Sequence, residues 1–153
     1  MSQFADPQFP SRLDTVFLSQ DPNAADKHKE LENVRRVEQM LATIASGNLN
    51  LMRDYFDDEM EMEIQSSPES GMSGHHQGVT SVMDALERNF SMLEDQKPII
   101  EQVEADGDEV VVTAKESGRF KGSGQEYAVR LKHHFKFKDG KVVQMREIVD
   151  PEG

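Results

Sequence analysis

The feature that most restricts this chain is a change of period. After Pro98 the apolar residues stop recurring at helical spacing and begin to alternate, and they do so almost to the C-terminus. Alternation sends successive side chains to opposite faces of a sheet. Short Asp-Gly segments interrupt the run, so the strands follow one another as hairpins and pair antiparallel. The predicted strands cover residues 99–105, 109–116, 126–137 and 141–149. Asp106-Gly107-Asp108 and Lys138-Asp139-Gly140 are the tight turns, and the Gly-rich residues 117–124 make a looser connection.

A sheet with one apolar face must be covered, and the upstream sequence supplies the cover. Leu31, Val34, Val37, Leu41 and Ile44, with Met40 alongside, predict a helix over residues 26–46. Asp26 is its N-cap, and Gly47 stands where a left-handed residue ends a helix. Asn48 caps a second, short helix over 49–56. In residues 59–64 Met60, Met62 and Ile64 alternate with glutamates and predict a strand. Residues 65–78 read as a Ser/Gly/Pro-rich loop. Val82, Met83, Leu86, Phe90 and Leu93 predict a third helix over 80–93. Helices followed by a run of antiparallel strands make an α+β domain, with the helices on one face of a curved sheet.

Residues 1–25, interrupted by Pro7, Pro10 and Pro22, form an N-terminal extension. A short helical turn over 13–18, packing on the domain or on a partner chain, and a disordered tail are equally open readings. The domain proper is 26–153. With 153 residues the chain is long enough to bury a core without disulfides or metal.

Charge narrows the functions. Lys plus Arg is 17 and Asp plus Glu is 29, a net charge of −12. That balance opposes binding to a nucleic-acid backbone or to an anionic membrane. The absence of cysteine removes thiolate metal sites and cysteine nucleophiles. No apolar stretch is long enough to span a bilayer, and the N-terminus does not read as a secretory signal, so a cytoplasmic location is expected.

The last hairpin decides which side chains face the core. A three-residue loop, Lys138-Asp139-Gly140, would pair Phe137 with Lys141, Phe135 with Val143 and His133 with Met145. Leu131, His133, Phe135 and Phe137 would then share a face with Val143, Met145, Glu147 and Val149. All of these are apolar except His133 and Glu147, which would be diagonal neighbours. A two-residue loop gives a less coherent face.

The order of elements carries a resemblance. So do residues 51–60 (LMRDYFDDEM), Gly78 ahead of the third helix, Asp106-Gly107-Asp108-Glu109-Val110, and the ending from Phe135 to Asp150. Over residues 28–150 they resemble the NTF2-like superfamily, in particular its SnoaL-like polyketide-cyclase branch. The resemblance implies a cone-shaped α+β fold, a bent sheet around a pocket, and a homodimer formed through the sheet. It places the acid of the polyketide cyclases on Glu147. The base of the superfamily's ketosteroid isomerases falls on Ile64, their oxyanion-hole tyrosine on Met40 and their second donor on His133. Ile64 and Met40 cannot do that chemistry, so steroid isomerisation by that mechanism is excluded. Fold alone does not give function.

His133 and Glu147 are therefore the candidate catalytic residues. Burial and mutual attraction pull their proton affinities in opposite directions, and either could serve as a general acid or base. A structural ion pair is the equal alternative. The expected pocket lining comprises Tyr55, Phe56, Met60, Met62, Val82, Leu86, Phe90, Val112, Ala114, Glu116, Leu131, Phe135 and Met145. Tyr55 is expected at the mouth, and Glu116 near a strand end as a solvated rim residue. Met60, Met62, Met83 and Met145 could line a soft, adaptable cavity, but ordinary core filling is the preferred reading for each. His75, His76, His133 and His134 lack metal-ligand spacing, and His133 and His134 point to opposite faces, so no metal site is expected; His75 and His76 could lie over the pocket mouth. The reading is a small-molecule pocket protein that needs no metal or organic cofactor. It would act by acid/base chemistry on an apolar molecule bearing a carbonyl or enol, as an isomerase, cyclase, dehydratase or hydrolase. A non-catalytic binding protein and an interaction module are the alternatives.

Overall fold

The computed structural model describes residues 16–17, 24–67 and 70–151. Its sheet has seven strands: β1 (Val16–Phe17), β2 (Phe56–Gln65), β3 (Gly74–Gln77), β4 (Leu93–Asp106), β5 (Glu109–Phe120), β6 (Glu126–Lys138) and β7 (Lys141–Pro151). The order across the sheet is β1-β4-β5-β6-β7-β2-β3. The hairpins β4–β5–β6–β7 are antiparallel, as the Asp-Gly turns require, whereas β2 joins β7 in parallel. The helices are α1 (Ala24–Ala45) and α2 (Val79–Ser91), with a 3-10 helix at Leu49–Tyr55 between α1 and β2. This is the α+β cone expected of an NTF2-like chain, a curved and mainly antiparallel sheet closed by helices.

The core lies between the helices and the inner sheet face. Val34, Val37 and Met40 of α1 and Val82, Ala85 and Leu86 of α2 pack on Met60, Met62, Val110, Val112, Phe135, Phe137, Val142 and Met145. Helix α1 lies over β4 and β5, and α2 over β2 and β3. One polar tie fixes α1 in place. Glu30, fully buried, accepts the Gly107 N–H of the β4–β5 turn through Oε2 at 2.6 Å. A charge-assisted bond of this kind satisfies a buried carboxylate that would otherwise be costly.

The structure corrects several sequence expectations. Residues 16–17, for which a helical turn and a disordered tail were equally open readings, are extended and pair in parallel with Val103 and Glu104. The rest of the expected extension, 1–15 and 18–23, lies outside the described residues. Gly74–Gln77, expected as loop, form strand β3 antiparallel to β2. Strand β4 starts at Leu93, before Pro98. Among the described residues Pro98 pairs only with Glu116, and β1 reaches only Val103 and Glu104 on the other side of β4, so the proline is tolerated. A bulge between Glu94 and Lys97, with Asp95 at φ 55°, allows Leu93 and Gln96 both to be buried despite opposite parity. Strand β5 continues through Ser117 and Gly118 to Phe120, paired with β6.

The last hairpin also differs. Lys138 pairs with Lys141 and Phe137 with Val142, so the loop is the two-residue Asp139-Gly140, not three residues. Both have positive φ, 50° and 79°, the pattern of a type I′ turn. Val143 is then skipped. The register resumes with Lys136 opposite Gln144 and Phe135 opposite Met145. Val142 replaces Val143 on the core face, and the bulge restores the odd-numbered alternation beyond it.

Candidate functional site

The bulge brings His133 directly opposite Glu147, where diagonal contact was expected. His133 Nε2 lies 3.0 Å from Glu147 Oε2, and both side chains are 24% exposed. The contact is an ion pair that approaches off the N–H axis, so Nε2 makes no aligned hydrogen bond among the described residues. Val112 flanks His133 on β5, and Ile64 flanks Glu147 on β2. The Phe135 ring meets the imidazole edge-on at 5.4 Å. These neighbours leave the two charges mainly each other to interact with.

Mutual attraction wins over burial. Burial disfavours the imidazolium, but Glu147, and then Glu116, outweigh it and hold His133 above its ordinary value. Burial would raise the Glu147 carboxyl, yet the His133 charge overrides it and holds Glu147 below the ordinary value.

A second polar group lies on the same inner face. Glu116 continues the buried row of Val110, Val112 and Ala114. It is half-buried within a strand, not a solvated rim residue, because β5 does not end there. Its Oε2 accepts the Tyr127 hydroxyl at 2.6 Å and the Gln96 amide at 3.4 Å. Burial is the main cause that raises the Glu116 carboxyl above its ordinary value, and the charge of Glu147 adds to it. The bonds from Tyr127 and Gln96 and the charge of His133 oppose the rise without cancelling it. The Tyr127 phenol is itself pushed far up, by burial and by Glu116, and stays protonated.

Gly118 explains how Tyr127 reaches this position. It pairs with Tyr127 across β5 and β6, and a Cβ on it would meet Tyr127 Oη at 2.6 Å. The tyrosine therefore lies across a position where only glycine leaves room. Tyr127 and Gln96 were not anticipated. Tyr127 shares the odd parity of Leu131 and His133, a signal available in the sequence. Gln96 stood between the third predicted helix and the strand after Pro98, in residues assigned to no element.

The remaining candidates separate by burial. Phe56, Met60, Met62, Val82, Leu86, Val112, Ala114, Leu131, Phe135 and Met145 are buried, whereas Tyr55, Phe90 and Glu116 keep partial exposure. Tyr55 is not brought to the His133–Glu147 pair. Its neighbour Phe56 pairs with Val142, five positions along β7 from Glu147 and thus roughly 16 Å away. His75 contacts Glu61 at 3.1 Å, and His134 contacts Glu109 at 3.2 Å. His134 is thus on the face opposite His133. Among the described residues no three His, Asp or Glu side chains come together in a group that could hold a metal ion. Two concavities, of about 310 and 570 Å³, border β3; the first includes Glu61 and His75, the second His76 and Arg88. Neither is lined by His133 or Glu147.

Comparison with known proteins agrees with the fold. The SnoaL-like domain family matches residues 37–145, most of the chain, and the chain belongs to that family. An NTF2-like protein from Burkholderia xenovorans LB400 is 22% identical, with 79% of this chain and 91% of that one aligned at a TM-score of 0.68. Bal32a, from a soil-derived mobile gene cassette, is 20% identical over 79% of this chain and 91% of its own, with a TM-score of 0.70. TerC, crystallised with polyporic acid, is 18% identical over 78% and 92%, with a TM-score of 0.67. At these identities the likeness is one of fold. Comparison with curated proteins finds no match. No helix among the described residues is long and apolar enough to cross a membrane.

Proposed function

We propose that this member of the SnoaL-like domain family is a cofactor-independent acid/base enzyme acting on a small, mostly apolar carbonyl compound. The observation that carries the reading is the inward His133–Glu147 pair, 3.0 Å apart and still partly exposed beside the apolar Ile64, Val112 and Phe135. Glu147 takes a proton from the carbon next to the carbonyl. His133, kept protonated by Glu147, polarises the carbonyl oxygen and stabilises the charge that develops on it. Isomerisation, aldol-type cyclisation and dehydration all pass through that step. A cytoplasmic location and a homodimer through the sheet belong to the same proposal; light scattering reads the dimer.

The test uses proton exchange, which does not require the natural substrate. 1-Tetralone, 1-indanone and cyclohexanone are incubated with the protein in D2O, and deuterium uptake beside the carbonyl is followed by NMR. The expected result is exchange above buffer with at least one ketone. Glu147→Gln should reduce it by about 10²–10⁴-fold. Unchanged exchange in Glu147→Gln would remove Glu147 as the base. The depressed proton affinity of Glu147 favours a second reading, a non-catalytic binder, because it weakens the carboxylate as a base. A ketone that binds but gains no deuterium would support the binder.

A further inference from the structure

The polar group built around Glu116 has a directional feature. Both of its bonds fall on one oxygen: the Tyr127 hydroxyl and the Gln96 amide each donate to Oε2. A proton carried by this carboxyl therefore belongs on Oε1, which has no partner among the described residues. Unlike Gln96 Oε1 and His133 Nε2, this atom is not sealed from solvent. Glu116 shares its face with Val112 and Ala114, and Val112 pairs with His133, so that free oxygen belongs to the same inner face as the ion pair. The carboxyl is built into this position. Gln96 is 4% exposed at a bulge, and Gly118 lets Tyr127 lie across the strand to reach Oε2.

We infer that Glu116 is the general acid of this site, a catalytic residue whose Oε1–H protonates the ligand's carbonyl oxygen while Glu147 removes the neighbouring proton. The inference rests on the acid/base reading above. In the step, the C–H bond breaks and its proton goes to Glu147. The C–H electron pair becomes the C=C bond, and the C=O π pair takes the proton from Glu116 to form a neutral enol. Glu116 becomes a carboxylate at that moment, and Tyr127 and Gln96 already donate to it, so no group has to move to stabilise the new charge. Reversal with the proton returned to a different carbon completes an isomerisation. The elevated proton affinity of Glu116 is the property this role requires. The groups that act on Glu116 are Tyr127 and His133 on β6, Glu147 on β7 and Gln96 on β4.

The experiment measures deuterium uptake by 1-tetralone against pH in wild type, Glu116→Gln, Tyr127→Phe and Glu147→Gln. Wild-type exchange should fall as pH rises and Glu116 loses its proton. Glu116→Gln should lose about 10²–10⁴-fold and keep only the fall that belongs to deprotonation of His133. Tyr127→Phe removes a bond that favours the carboxylate, so the fall should move to higher pH. If Glu147→Gln abolishes exchange while Glu116→Gln keeps the wild-type rate and profile, the general acid is lost and the Glu147 reading stands. If wild type does not exceed buffer, both are overturned for this ketone class. A ¹³C NMR titration of the Glu116 carboxyl gives a check that needs no substitution. A midpoint at or below an ordinary glutamate's would also overturn the inference.

Discussion

Gly118→Ala tests whether a missing side chain holds the Glu116 group together. The new Cβ would lie 2.6 Å from Tyr127 Oη, 2.8 Å from Cζ and 2.9 Å from Cε1, all closer than real contacts allow. The ring cannot yield without loss, because its hydroxyl is bonded to Glu116 at 2.6 Å and it packs on Phe120 at 5.2 Å between centroids. Losing the bond costs about 1–3 kcal/mol, and loosening the aromatic contact adds about 0.5–1.5 kcal/mol. Replacing glycine in a strand returns about 0.5–1 kcal/mol. The balance is roughly 2 kcal/mol of destabilisation, or a fall in Tm of about 4–8 °C for a chain of this size. Gly122→Ala is the control. A Cβ there meets nothing within 4 Å and its φ is not left-handed, so the change should stay within about 0.5 kcal/mol. Urea titration followed by circular dichroism reads all three proteins. If Gly118→Ala is as stable as Gly122→Ala, Tyr127 is not confined as described and the packing argument fails.

Three further outcomes follow from the same structure. Glu147 lies below its ordinary value of 4.5, so its contribution to stability is present above that value and is lost as pH falls through the folded-state titration. His133 lies above its ordinary 6.5, so its share is complete below 6.5 and is lost as pH rises through its folded-state titration. The urea midpoint should therefore carry an ion-pair contribution that is greatest between those two values, and Glu147→Gln should flatten it. Met60, fully buried, should cost about 2–5 kcal/mol on replacement by alanine, read as a lower urea midpoint. Glu30→Ala removes the acceptor for the Gly107 N–H and should cost about 1–3 kcal/mol, with hydrogen exchange at Gly107 accelerated.

The sequence showed most of the fold because the relevant signals are local. The Asp-Gly turn signal at 139–140, though not its two-residue type I′ form, the glycine at position 107 and the stripe from Leu31 to Ile44 each act through neighbouring residues. What it hid depends on distant ones. Gly74–Gln77 become a strand through pairing with β2, and no apolar alternation announces a short polar edge. Pro98 read as a boundary, yet it sits inside β4, where among the described residues it pairs only with Glu116. The face holding His133 and Glu147 was legible from parity. Their direct opposition was not, because it depends on a skipped residue in β7. Tyr127 escaped because its role follows from Gly118, a glycine on another strand.

The skipped Val143 has a consequence for how this chain can vary. With Phe137 opposite Val142 and Lys136 opposite Gln144, Val143 is surplus to the ladder. Deleting it would leave every remaining pair in place, including His133 with Glu147, and would cost mainly the local bend. A deletion at 144, 145 or 146 has no such slack unless the bulge itself is absorbed. The hairpin tip is thus a buffer: its length can drift through insertion and deletion while the chemistry further along the ladder keeps its phase.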